Sequence, residues 1–312
     1  MNTETEGKML AEWIAVDWGT SHLRAWVMQG DHPVQALQSD QGMGRLNPAE
    51  FEPALLALID PYLDPEQRTM ILCCGMVGAA QGWQDAGYRA VPCPPVVAGQ
   101  AISVAAGDPR LDVRILPGLK QAEPADVMRG EETQIAGFLA DQPGFSGVFC
   151  LPGTHSKWVQ VANGQVARFT SFMTGEVFAL LAGHSVLRHS VGTAEDWDKA
   201  QFLAAVGESL TRPETLLGDL FAVRAGMLLH GASAGQGRAQ LSGRLLGQEL
   251  AGAAAYWREQ EVVLIGAAAL CQHYQLALAE AGAKVRRIDG DALVLAGLTR
   301  ARHDLTTFFK EG

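Results

Sequence analysis

The chain has 312 residues, 48% of them hydrophobic and 19% charged, with a net charge of −10. That length can bury a large core and suits two domains, and the composition is that of a globular chain rather than a disordered one. The acidic balance excludes nucleic acid as a bulk partner, because such binding is dominated by Lys and Arg neutralising phosphates, but a few local cations still allow a small anionic ligand.

No uninterrupted apolar run reaches the ~18 residues of a membrane span. Residues 1–8 are polar and acidic rather than a basic start followed by an apolar core. The expectation is a cytoplasmic protein with no membrane partner. The cysteines, Cys73, Cys74, Cys93, Cys150 and Cys271, are odd in number and match no zinc-ligand spacing, so they read as buried reduced thiols.

Residues 13–18 form an apolar run of β-formers and 23–27 alternate again, which predicts two strands joined by a tight turn. In that turn Gly19 lets the main chain approach a ligand closely. Consecutive N–H groups with the Thr20 and Ser21 hydroxyls then make a concave donor site for an anion. Asp17, at the end of a buried strand, is costly there without a cation or donors. An acid beside a phosphate cradle suggests Mg²⁺ held through water; the plainer alternative is a hairpin whose Asp caps its own turn.

A third strand is expected at 33–37 and a Gly-rich loop at 40–46. Asn47-Pro48 then starts a helix that runs through 51–58, with Asn47 as N-cap and Pro48 at its first position. Residues 69–74 read as a buried strand and 75–79 as a second Gly-rich loop. Ligands gather beyond the carboxyl ends of strands in open α/β sheets, so both loops, with Arg45, Gly75 and Met76, are candidate substrate walls. Arg45 and Arg129 could grip a carboxylate bidentately, or be solvated or paired surface residues.

Residues 113–116 form another strand and 121–126 a loop. Next, Glu131 and Glu132 open an apolar-periodic helix running to Ala140. Acids there either complement the helix dipole or take the proton of an attacking hydroxyl. From 147 the pattern is strand, a Gly153-Thr154-His155-Ser156-Lys157 turn, a second strand, and an Asn163-Gly164 hairpin into a third. This turn repeats the chemistry of the first: a glycine, then hydroxyls, after a buried strand. Two such hairpins would grip one polyphosphate from opposite sides, with Lys157 neutralising charge on the transferred group. It is not a Walker loop, because a strand follows rather than a helix.

Thr174 is read as the N-cap of the next helix. Helices are then expected at 177–187, 198–209, 215–228 and 241–257, with a flexible loop at 231–237. The end returns to α/β: a strand from 261, a small-residue turn at Gly266 and Ala267, a helix to 281, a strand at 284–288 and a helix at 292–302. A glycine and alanines after a buried strand suit a flat adenine ring against backbone, although helix packing asks for the same residues.

Set in order, these pieces resemble the sugar-kinase, heat-shock-protein-70 and actin superfamily. Within it the chain is similar to the 2-dehydro-3-deoxygalactonokinase family along nearly its whole length. The blocks that carry the likeness are Ala15-Val-Asp17-Trp-Gly-Thr with Leu23-Arg24-Ala-Trp26, Gly75-Met-Val-Gly78, Met128-Arg-Gly-Glu-Glu-Thr-Gln134, Pro152-Gly-Thr-His-Ser-Lys-Trp-Val159 and Met173-Thr-Gly-Glu176. Thr20-Ser21 stands where related sequences often carry Ser-Thr, and Ser156 where some carry Cys. Residues 185–213 match least.

The resemblance implies an α/β protein of two ribonuclease-H-like domains, the actin-like ATPase fold, with an interdomain ATP cleft. The first domain would be 1–129 with a C-terminal helix at about 291–312 packing back, and the second 130–290. It implies ATP and Mg²⁺ as cofactors and phosphorylation of the 6-hydroxyl of 2-dehydro-3-deoxy-D-galactonate. Glu131 or Glu132 would act as base, with Lys157 stabilising the transferred group. Asp17 would place the metal. Gly19, Thr20, Ser21, Gly153, Thr154, His155 and Ser156 would hold phosphates, and Gly266 and Ala267 the adenosine. Arg24, Arg45, Gly75, Met76 and Arg129 would face the sugar acid. A kinase of the same fold for another sugar or keto-deoxy sugar acid, an exopolyphosphatase-like hydrolase and an actin-like nucleotide switch remain as alternatives, and a homodimer stays open.

Overall fold

The computed structural model of the protein describes residues 9–192 and 197–311. The N-terminal residues 1–8 read above lie outside the described residues. The chain divides into two compact units, Met1–Gly144 with Asp291–Gly312, and Phe145–Gly290. Helix Glu131–Asp141 therefore counts with the first unit, whereas the sequence reading began the second domain at 130.

The first unit contains β1 Trp13–Trp18, β2 Leu23–Gln29, β3 His32–Ser39, α1 Phe51–Ile59, β4 Thr69–Gly75, β5 Tyr88–Ala90, β6 Ile102–Ser103, β7 Leu111–Ile115, β8 Gly118–Gln121, β9 Asp126–Met128 and α2 Glu131–Asp141. Its main sheet has the order β3-β2-β1-β4-β7-β6. β1 runs antiparallel to β2 and parallel to β4, so it lies in the interior of the sheet. Covered on both faces, it reads as a continuous apolar run rather than an alternating one. Ile14, Val16 and Trp18 join a core with Phe51 and Leu55 of α1. Trp13 and Ala15 face the opposite side, with Val294 and Leu298 of the C-terminal helix, Gly290–Glu311. Each large side chain so buried contributes about 1.5–3 kcal/mol.

The C-terminal helix can lie against α2 because glycines meet at the crossing. A Cβ on Gly137 would sit 2.0 Å from the Leu293 carbonyl oxygen, and one on Gly297 2.1 Å from that of Thr133. The hairpin β8–β9, paired with β5 in a small sheet, occupies residues read in part as loop. Its strands are only three or four residues long, too short for a period-2 pattern to register.

The second unit contains β10 Gly147–Leu151, β11 Ser156–Ala162, β12 Gln165–Phe172, α3 Thr174–His184, α4 Arg188–Val191, α5 Lys199–Thr211, α6 Leu216–His230, α7 Ala234–Gly252, α8 Ala254–Trp257, β13 Glu261–Gly266, α9 Ala268–Glu280 and β14 Lys284–Asp289. Its sheet order is β12-β11-β10-β13-β14. Both sheets thus place an antiparallel three-strand meander beside parallel strands. The α/β class with mixed sheets is as expected.

Three local expectations change. Thr174 is the first helical residue of α3, preceded by Met173 as the cap position. The loop expected at 231–237 ends sooner, because Ser233 caps α7 through the Gln236 N–H and the helix starts at Ala234. The last helix begins at Gly290 and runs past Arg302. All five cysteines are free and buried, and among the described residues no helix is long and apolar enough to cross a membrane.

Candidate active site

In the first unit, β1 and β4 end side by side in register, Asp17 opposite Cys74 and Trp18 opposite Gly75. Gly75 has φ +90, and a Cβ there would lie 2.8 Å from the Trp18 carbonyl oxygen and 3.2 Å from Asp17 Oδ1. Only glycine lets β4 turn away so close to the acid. Gly130, at φ +107, lies against the Gly75 backbone, so the N-terminus of α2 meets the same strand ends.

Asp17 is largely buried and paired with Arg24. The other arm of Arg24 reaches Asp291 at the start of the C-terminal helix. Arg24, expected at the sugar acid, instead spends its guanidinium on two carboxylates. The turn after β1 is closed by the Gly19 N–H, which donates to the His22 carbonyl at 2.9 Å. Loop residues Met43 and Gly44 donate their N–H groups to the Gly19 and Thr20 carbonyls, both at 2.9 Å. The expected role of the Gly19 N–H as an anion donor is thus taken within the turn, while Thr20 and Ser21 are exposed. Arg45, on the loop stitched to this turn, is also exposed, and Met76 half-buried.

The two glutamates of α2 differ. Glu132 is fully buried, its carboxylate accepting the Gly130 N–H at 2.8 Å. Burial first, and the neighbouring Glu131 charge second, push its pKa up to about 8. Glu131 is half-buried and accepts the Arg129 N–H through Oε2 at 3.0 Å. Arg129 does not face solvent: its guanidinium lies 4.3 Å from the Tyr88 ring centroid and donates to the Gly87 carbonyl at 2.9 Å. Its Nε and Nη1 are buried without hydrogen-bond partners among the described residues.

In the second unit, the turn between β10 and β11 exposes Thr154 and His155. His155 meets Glu176 at 2.6 Å. Ser156 and Lys157, expected to point at phosphate, are buried instead. The Lys157 ammonium donates to Ser171 Oγ of β12 at 2.5 Å, and the Ser156 hydroxyl bonds the Tyr274 hydroxyl at 2.5 Å. The place of β11 decides this: it lies between β12 and β10, and its first four residues are all buried, so side chains on both of its faces are covered. The N-terminus of α3 is pressed against the turn: a Cβ on Gly175 would meet the Gly153 carbonyl oxygen at 2.3 Å, and the Glu176 N–H donates to the Thr154 carbonyl at 2.9 Å.

A cavity of about 250 Å³ opens from this turn. Gly153, Thr174 and Gly175 line its polar end; Phe178, Trp197, Leu245, Ala269, Leu270 and His273 line its apolar wall. Trp197 and His273 stack at 4.2 Å with an interplanar angle of 13°. Burial, then the nearby Arg238 charge, pushes the His273 pKa down, so the ring is neutral at physiological pH. Gly266 and Ala267 do not line this cavity; Ala269 and Leu270, the next turn of the same segment, do.

The family model for 2-keto-3-deoxy-galactonokinase matches residues 17–301. The chain belongs to that family. It is 42% identical over 294 residues to a Rhizobium meliloti (strain 1021) protein named probable 2-dehydro-3-deoxygalactonokinase, covering 92% of this chain and 95% of that one. It is 37% identical over 299 residues to the 2-dehydro-3-deoxygalactonokinase of Escherichia coli (strain K12), covering 95% and 99%. A Sinorhizobium meliloti crystal structure described as a 2-dehydro-3-deoxygalactonokinase protein superposes with a TM-score of 0.86 at 41% identity, covering 94% of this chain and 99% of that one.

Sequence reasoning did not single out Trp197 and His273, which line the cavity, or Glu249, a buried acid of α7. Trp197 and His273 meet only through tertiary packing. Glu249 did leave a signal, since it falls on the stripe of α7 that carries Leu245, Leu246 and Leu250, where a charge breaks the apolar pattern.

Proposed function

We propose that the protein is an ATP-dependent kinase that phosphorylates the 6-hydroxyl of 2-dehydro-3-deoxy-D-galactonate. Membership of the 2-keto-3-deoxy-galactonokinase family supports the reaction class and the sugar acid. The observation that carries the nucleotide assignment is the cavity of the second unit, which joins a glycine-hydroxyl turn to a flat apolar wall. A purine is placed against Trp197 and His273, with the phosphates toward Gly153, the exposed Thr154 and the start of α3, whose helix dipole favours anions.

Glu131 is the proposed base. A base must touch the substrate hydroxyl, and Glu131 keeps part of its side chain accessible where Glu132 keeps none. Glu131 accepts the hydroxyl proton as the oxygen bonds the γ-phosphorus and the bond to the ADP oxygen breaks. Glu132, protonated near neutrality, spares this corner a second negative charge. Arg45 is the cation assigned to the substrate carboxylate, because it is exposed where Arg129 is buried.

Among the described residues no cluster of three or more His, Cys, Asp or Glu could cage a metal. Asp17, largely buried at the end of β1 and paired with Arg24, is the carboxylate proposed to hold Mg²⁺ through water, an ion that keeps several waters and takes most other ligands from phosphate. The ion would neutralise phosphate charge. The test is ADP release with Mg-ATP and 2-dehydro-3-deoxy-D-galactonate, beside its gluconate epimer and a sugar-free blank. Turnover with the galactonate form supports the proposal; no stimulation by it removes the named substrate.

A further inference from the structure

Glu249 is 1% exposed, in the last turn of α7 and among the core residues of the second unit. A carboxyl group in such surroundings is costly unless its oxygens are filled. Here they are filled by a specific set of donors. Trp158 Nε1–H donates to Oε1 at 2.8 Å and the Tyr274 hydroxyl donates to Oε2 at 2.8 Å. The Thr174 hydroxyl also hydrogen-bonds the carboxyl group, and the Ser156 hydroxyl donates to the Tyr274 oxygen and so reaches the carboxyl group through it. These donors come from the first residues of β11, the first residue of α3 and the middle of α9.

These donors flank the turn at 153–155. Ser156 follows the turn directly, and Trp158, two residues on, shares its face of β11. Thr174 precedes Gly175, whose backbone is pressed onto the Gly153 and Thr154 carbonyls. One buried carboxyl group therefore ties together the strand that leaves the turn and the helix that abuts it. An apolar residue at 249 would fill the same volume and suit the leucine stripe of α7, so packing alone does not call for an acid here.

We infer that Glu249 is a positioning residue for nucleotide phosphates: through Ser156, Thr174 and Tyr274 it holds the turn at 153–155 and the N-terminus of α3 in the geometry that receives the β- and γ-phosphates. The inference rests on the proposed phosphate role of that turn. Glu249 touches no substrate itself. Its effect is to preorganise the donors, so that ordering the turn is not charged against ATP binding.

The test compares Glu249→Leu, Glu249→Gln, Tyr274→Phe and Thr154→Ala in the full chain, measuring KM for ATP and for the sugar acid and the Kd of ATP and of adenosine. Glu249→Leu should raise the ATP KM and Kd at least tenfold, with the adenosine Kd and the sugar-acid KM within twofold. Glu249→Gln, which keeps an acceptor for Trp158 Nε1–H, should recover most of the loss. Tyr274→Phe removes one hydroxyl and keeps the ring; it should weaken ATP severalfold, and it carries the test if Glu249→Leu does not fold. Equal losses for ATP and adenosine, or no loss for ATP in Glu249→Leu and Tyr274→Phe while Thr154→Ala weakens it, overturn the positioning role. A Thr154→Ala variant with unaltered ATP affinity removes the phosphate reading on which it stands.

Discussion

Two adjacent glutamates at the start of α2 show how burial divides roles between identical side chains. Glu131→Gln should lower kcat by about 10²–10⁴ while leaving the ATP KM nearly unchanged, because a base acts in the transition state; steady-state kinetics checks this. Glu132 makes a different prediction. Its folded pKa of about 8 lies above the ordinary 4.5, so the folded state holds this proton more tightly than the unfolded one. The resulting stability is complete below about pH 4.5 and is lost as pH rises through 8. Over that window the wild type should lose about 1.4 kcal/mol per pH unit relative to Glu132→Gln, seen in urea denaturation at several pH values. Cys73, Cys74 and Cys150 are buried and burial pushes their thiols up. A thiol reagent should therefore leave them unmodified in the native protein and titrate them in denaturant.

Elements meet closely in this fold wherever glycine removes the side chain between them. Gly75 combines a positive φ with a carbonyl oxygen 2.8 Å from its missing Cβ. Gly75→Ala should cost about 1–3 kcal/mol and also lower kcat, since it shifts the end of β4 against Asp17. At the crossing of α2 and the C-terminal helix, Gly137 and Gly297 each leave no room for a methyl group. Gly137→Ala should force the helices apart and lower Tm by several degrees, as about 1 kcal/mol moves Tm by ~2–4 °C in a chain of this size. A paired Gly297→Ala variant should not restore it. The sequence showed α2 clearly, through its apolar period and its leading acids, but the glycines within both helices carried no sign of the partner they meet.

For the whole molecule, ligand binding and folding are linked. Mg-ATP at a hundred times its Kd should stabilise the protein by about 2.7 kcal/mol, measured as a thermal shift that grows with nucleotide concentration. Trp197 on the cavity wall should report the same event by fluorescence, and Trp197→Leu should remove that signal and weaken ATP. Both sheets share a plan, an antiparallel meander beside parallel strands, and in each a glycine-hydroxyl turn follows the first strand. Repetition of that local pattern makes both hairpins legible in the sequence.

What the chain alone determined is what local chemistry controls. The apolar runs of β1, β4, β10 and β13 announce interior strands, Asn163-Gly164 announces a hairpin, and the ordered blocks around Asp17, Glu131 and Gly153 announce the family. The three- and four-residue strands of the small sheet escaped because a few residues cannot display a period. Only the tertiary structure decided which polar residues stay accessible. Arg129, Ser156 and Lys157 have the chemistry of ligand contacts, yet the interior position of β11, covered on both faces, and the packing of Tyr88 bury them. Trp197 and His273 lie far apart in sequence and stack only after α5, α7 and α9 have packed. Accessibility depends on contacts between distant segments, and a one-dimensional pattern does not contain them.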